Sequence, residues 1–176
     1  VPAGSDGLLY LPYLIGERAP HLDPLARGAL IGLTLGHKKA SIIRAVMEGV
    51  AFALLDSMEV MKEIGVSARH IIASGGGSGS AVWRQILADV FNCPILLTGE
   101  TEQACLGAAV TAAAAVKLYS SLAQACEHMA PRAVQSETPI PERVSQYRRL
   151  FPLYQAAYQV NKDIFHALNA QEEVTI

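Results

Sequence analysis

The segment HIIASGGGSGSAVWRQILADVF (70–91) sets three consecutive glycines between a short apolar run and an amphipathic one. The first reads as a buried strand over 70–74, the second as a helix over 79–91 with Val82, Ile86, Leu87, Val90 and Phe91 on related faces. A strand that ends in Gly75, Gly76 and Gly77 and turns straight into a helix exposes several main-chain N–H groups at one point. Without Cβ atoms a ligand can approach that backbone closely, and the chain can take φ > 0. The helix adds its own unpaired N–H groups and the positive end of its dipole. Such a bend can seat an anion, most often a phosphate. It can equally be a tight turn that holds nothing.

Two nucleotide fingerprints bear on the choice. GxxxxGK[ST] fails because no lysine follows the glycines. GxGxxG fits at Gly75 and Gly77, but Ser80 takes the third glycine position. Glu100 and Glu102 follow the next strand-like run, where a ribose hydroxyl would want an acid. A dinucleotide-binding fragment of an oxidoreductase is therefore one open reading.

Around this unit the pattern is α/β. Runs at 8–14 and 29–35 read as strands, the first interrupted by Pro12. Ile42, Ile43, Val46, Met47, Val50, Leu54, Met58, Met61 and Ile64 recur at helical spacing, and Gly65 ends that helix. A strand at 94–99 leads to an Ala-rich helix at 102–117, then to helices at 121–130 and 141–168. Ala104, Gly107, Ala108 and Ala109 are small enough to let their helix pack closely on the sheet. Alternating strands and helices after residue 70 predict parallel strands joined by crossovers.

Between the first two strands lies GERAPHLDP, where Glu17, Arg18, His21 and Asp23 could reach a cleft. A plain surface loop, tied by a Glu17–Arg18 or Arg18–Asp23 pair, is the simpler reading. Trp83 reads as core or as the wall of a pocket, Arg84 and Gln85 as solvated, and the charged 142–150 stretch as a solvated helix face.

Composition removes several classes. With 51% hydrophobic and 17% charged residues the chain folds as one ordinary domain. A net charge of −2 without a basic block gives no reason to expect nucleic acid or an anionic membrane as partner. The small-apolar run at 106–116 is too short to span a bilayer. Cys93, Cys105 and Cys126 are odd in number and lack CxxC spacing, as expected of free thiols in a cytoplasmic protein. The five histidines lack metal-ligand spacing, so no metal site is expected. The opening at Val1 reads as a piece of something longer.

In order along the chain, LPYLIGERAPHLDPLARGALIGLT, RAVMEGVAFAL, SGGGSGSAVWRQILADVF and CLGAA resemble the C-terminal domain of the FGGY carbohydrate kinases. Within that family the likeness is greatest to xylulokinases, with gluconokinases next. Gly28, Leu30, Gly32 and Leu33, then Ile42, Ala45, Val46, Met47 and Glu48, follow the family's second signature. Ser41 departs from it, standing where an acid, amide or His is usual, and is expected to cap the helix.

The resemblance implies a ribonuclease-H-like, actin-like ATPase fold lacking its first strands. Residues 1–176 would be the C-terminal nucleotide-binding part of a two-domain kinase whose N-terminal domain binds the sugar. The implied reaction is ATP- and Mg²⁺-dependent phosphorylation of a sugar hydroxyl, D-xylulose to xylulose 5-phosphate, with gluconate as the alternative substrate. Gly75 and Gly76 fall on the family's nucleotide-binding glycines and Ser80 near the adenosine, with Gly77 and Ser78 in the same turn. Glu17 and Arg18 form a candidate cleft loop. No catalytic residue falls in this chain, which alone is expected to bind ATP or ADP weakly and to phosphorylate nothing. An open sheet edge would favour oligomerisation, as in a homodimer, or leave the chain ordered only together with its missing half. A non-catalytic actin-like assembly module is a third reading.

Overall fold

A computed structural model of the chain describes residues 1–99 and 102–172. Strands β1 (Leu9–Leu11) and β2 (Ala29–Ile31) pair antiparallel, with Tyr10 opposite Leu30. Helix α1 (Lys39–Glu63) packs across β1. A three-stranded sheet follows in the order β3 (Ile71–Ala73), β4 (Ile95–Leu97), β5 (Val134–Glu137). Helix α2 (Ala81–Phe91) connects β3 to β4, and these two strands are parallel as the alternation predicts.

β5 is a strand the sequence did not announce. It pairs antiparallel with the other side of β4, and its residues, Val-Gln-Ser-Glu, are mostly exposed. With no buried face it carries no apolar alternation to read. β3 and β5 are thus the edges of this sheet.

Helix α1 ends as expected. Gly65 takes φ +86, and its N–H and that of Val66 close on the carbonyls of Lys62 and Met61. Its start differs from expectation: Lys38, in extended conformation, is the N-cap. Ser41 already lies inside the first turn, buried, with its Oγ 3.5 Å from Asp6 Oδ2. It caps nothing.

The helix also turns an unexpected side inward. Ala45, Glu48, Gly49, Ala51, Phe52, Leu55 and Asp56 are buried, whereas Ile43, Val46, Leu54, Met61 and Ile64 are exposed. Gly49 lets β1 approach the helix axis, since a side chain there would run into the backbone of Tyr10.

Helix α5 (Pro141–Glu172) opens on a proline at its first position, where a missing N–H costs nothing. It continues through Pro152 instead of being limited by it. It supplies Tyr147, Tyr154, Tyr158 and Phe165 to the core, where they meet Leu11, Tyr13, Phe52, Ile86 and Ile95. Tyr147 and Phe52 meet edge to face at 5.8 Å, a favourable aromatic geometry. Helices α3 (Gln103–Ala115) and α4 (Leu122–Met129) pack on each other and bury Val110, Ala113 and Ala125. Ala104, Gly107, Ala108 and Ala109 of α3 are exposed, so the expected close packing of that stripe on the sheet is not what the structure has.

Candidate functional site

The glycine bend lies on the surface, between the end of β3 and the start of α2. Gly75 takes φ 80 and ψ −179, a region that only glycine populates freely. Gly76–Gly79 then form one 3₁₀ turn. Ser78 N–H and Ser80 N–H are used inside it, donating to the carbonyls of Gly75 (3.0 Å) and Gly77 (3.1 Å). The N–H groups of Gly76 and Gly77 make no bond to another described residue.

A Cβ added at Gly76 or Gly79 would meet nothing within 4 Å, and neither residue has a positive φ. Neither packing nor backbone conformation accounts for glycine at these two positions. Their backbone is left open to approach from outside. At Gly77 an added Cβ would lie 3.5 Å from the Trp83 ring, which borders the bend and packs partly against the core.

The serines have structural work. Ser78 Oγ donates back to the Gly75 carbonyl at 2.7 Å. Ser80 is the N-cap of α2, its Oγ accepting from Trp83 N at 3.3 Å. Arg84 and Gln85 are not solvated as expected. Arg84 pairs with Glu137 of β5, and Gln85 donates to Asp89 Oδ1 and to the Thr138 carbonyl. Glu102 precedes α3 without a side-chain cap bond, and Glu100 lies outside the described residues.

The 15–24 loop is well tied down. Glu17 and Asp23 exchange two backbone hydrogen bonds of 2.8 Å, and Glu17 Oε1 accepts from Ala19 N. Ser57 Oγ of α1 donates to the Ala19 carbonyl at 2.9 Å. Arg18 is exposed and forms neither expected ion pair among the described residues. Glu17 and Arg18 line a concavity with Ile15, Gly16, Leu22 and Pro24, apart from the glycine bend.

Asp23 turned out to be the anchor of this loop. Only 4% exposed, it accepts from Tyr158 OH at 2.8 Å, His166 Nε2 at 2.9 Å and Leu25 N at 3.0 Å. His21 stacks on Tyr158 at 3.9 Å and lies 3.2 Å from Asp56 Oδ2. Burial pushes the Asp23 carboxyl up, but the bonds from His166, Tyr158 and Leu25 outweigh it and leave the group below its ordinary 3.8. A carboxyl whose folded value is depressed stabilises the fold above its unfolded value and loses that contribution as pH falls through the folded one. Asp23→Asn should therefore cost about 2 kcal/mol at pH 7 and flatten the acid limb of stability below about pH 4. Urea unfolding at several pH values reads both effects. An unchanged acid limb would leave Asp23 without this role.

Among the described residues no group of three His, Cys, Asp or Glu side chains could hold a metal ion, and no helix is long and apolar enough to cross a membrane. Cys93, Cys105 and Cys126 are unpaired.

Comparison with known proteins fits this geometry to a family. Residues 1–116 match the C-terminal domain of the FGGY family of carbohydrate kinases. The chain is 37% identical over 170 residues to the xylulose kinase of Bacillus subtilis, covering 97% of this chain and 34% of that protein. It is also 37% identical over 155 residues to the gluconokinase of Bacillus subtilis, covering 88% and 30%. The ligand-bound xylulose kinase from Lactobacillus acidophilus superposes with a TM-score of 0.83 at 35% identity, over 96% of this chain and 34% of that one. The gluconate kinase from Lactobacillus acidophilus gives 0.77 at 35% identity, over 94% and 32%. The fold is accordingly ribonuclease-H-like and actin-like, and the chain spans about a third of the length of the relatives it matches.

Proposed function

Because the chain belongs to the FGGY family of carbohydrate kinases, as its C-terminal domain, we propose that it is the nucleotide-holding part of an ATP-dependent sugar kinase. Membership of that family also speaks against a dinucleotide-binding oxidoreductase. D-Xylulose is the proposed acceptor, since xylulose kinases recur among the relatives and solved neighbours; gluconate is second, on the gluconokinase match.

One observation carries the site assignment. Two glycines at the bend, Gly76 and Gly79, are demanded by neither packing nor backbone conformation, and the N–H groups of Gly76 and Gly77 are unpaired within the described chain. Phosphoryl transfer needs in-line placement and donors for phosphate charge more than covalent participation by the protein. The Gly75–Gly77 backbone would supply donors, with Ser78 and Ser80 keeping the bend in shape. Glu17 and Arg18 remain a proposed wall of the cleft. The acceptor sugar and the base that takes its proton would come from the part of the kinase that the relatives have and this chain does not span. Magnesium would neutralise phosphate charge when bound; among the described residues no three His, Cys, Asp or Glu side chains converge on one point, so it would be held largely by phosphate oxygens and water. This chain's share of the work is to bind and orient.

The chain's single tryptophan, Trp83, lies beside Gly77 and reports on the bend. ADP should change its fluorescence weakly but saturably, while NAD should not compete. Gly76→Val should leave the unfolding midpoint nearly unchanged, because an added Cβ has no atom within 4 Å, yet weaken ADP at least about tenfold. Unaltered ADP affinity in that variant would remove the bend from the site.

A further inference from the structure

Arg84 lies one turn past the glycine bend, and its side chain is 14% exposed. Its Nε meets both oxygens of Glu137, at 2.9 and 2.8 Å, and Ser136 Oγ at 3.0 Å. Its Nη1 donates to the Ser78 carbonyl at 2.6 Å. Ser78 in turn closes on Gly75 through both its N–H and its hydroxyl. An unbroken chain of hydrogen bonds thus runs from the end of β5 into the bend. Burial alone would push the Glu137 carboxyl up, but the bonds from Arg84 and Ser136 and the guanidinium charge hold it below its ordinary range.

We propose that Arg84, braced by Glu137, is a positioning residue for the phosphate seat, holding Ser78 in place and, through the two Ser78 bonds to the Gly75 carbonyl, the direction of the Gly76 amide. The inference rests on the nucleotide reading above. A peptide unit is planar, so the Gly75 carbonyl, held by both the N–H and the hydroxyl of Ser78, fixes the orientation of the Gly76 amide that follows it. Glycines have no side chains to restrain their backbone, and a bend rich in them would otherwise sample many conformations. Preorganised amides bind an anion better than amides that must be ordered first. The guanidinium itself is already matched to a carboxylate, so its charge is not what the phosphate would meet.

That distinction gives the test its sign. If Arg84 acts by positioning, removing its brace with Glu137→Gln weakens ADP; if Arg84 instead binds phosphate directly, the same change frees its charge and strengthens ADP. The measurement is ADP and adenosine affinity for the wild-type chain, Arg84→Lys and Glu137→Gln, with amide hydrogen exchange at Ser78 and Ser80, the hydrogen-bonded amides of the bend. Expected in both variants are faster exchange at the bend without ligand, about fivefold to tenfold weaker ADP, and unchanged adenosine affinity. A merely structural role would lower ADP and adenosine affinity together. Equal losses for both ligands, or tighter ADP in Glu137→Gln, overturn the proposal while leaving the nucleotide reading intact. A wild-type chain that fails to bind ADP at the bend overturns both.

Discussion

Gly49→Ala should be among the most damaging single substitutions in this chain, although alanine is the better helix former. Gly49 is buried on α1 where the helix crosses β1, and a Cβ there would lie 2.1 Å from the Tyr10 carbonyl oxygen, 3.0 Å from its carbon and 3.1 Å from the Tyr10 Cβ. Two of those three atoms are backbone within a strand that is itself paired to β2. They cannot rotate away, so α1 and β1 must separate. The propensity gain of about 1 kcal/mol is outweighed by overpacking of about 3 kcal/mol or more. Denaturant unfolding should show a large drop in midpoint, or no folded baseline. A midpoint equal to that of the wild type would mean that the helix and strand are not in contact here.

Glu48→Ala should be nearly as severe, for an electrostatic reason. Glu48 is 2% exposed and its carboxylate collects four donors. Oε1 accepts from Gly4 N at 2.9 Å, Arg44 Nε at 2.7 Å and Tyr147 OH at 2.7 Å; Oε2 accepts from Ser5 Oγ at 2.7 Å. Burial, and then the neighbouring carboxylate charge, push the Tyr147 phenol well above its ordinary range, so the hydroxyl stays protonated and donating. Truncating Glu48 leaves a half-buried guanidinium and several donors without their acceptor. Breaking a buried pair of this kind costs about 3–5 kcal/mol. Glu48→Gln keeps the shape and one acceptor and should lose less. Equal midpoints for Glu48→Ala and the wild type would show that the N-terminal segment is not held through this residue.

The fold and the candidate site were legible to different extents. The helical period over 42–64 located α1, but it could not tell which side faces the core. Ile43, Val46, Leu54, Met61 and Ile64 stay outside while Phe52 and Leu55 go in, and the close contact with β1 is at Gly49, whose virtue is to be small. β5 was invisible because its side chains are exposed; what makes it a strand is the backbone of β4 beside it. Arg84 and Glu137, 53 positions apart, show the same limit: a charge on an amphipathic helix looks solvated until the strand that pairs with it is placed. In the sequence Asp23 is one charge among several in a polar loop; its partners, Tyr158 and His166, lie far along α5. The glycine bend was legible because its chemistry is local, residing in backbone that lacks side chains.

On the proposed function, the exposed amides of this bend hold the phosphates of a nucleotide. Titrating ADP into the ¹⁵N-labelled chain while following each amide resonance tests it residue by residue. The largest shifts are expected at Gly76 and Gly77, with smaller ones at the first turn of α2, and adenosine alone should move them much less. Shifts clustered instead on the 15–24 loop, with the glycine amides unmoved at saturating ADP, would contradict it.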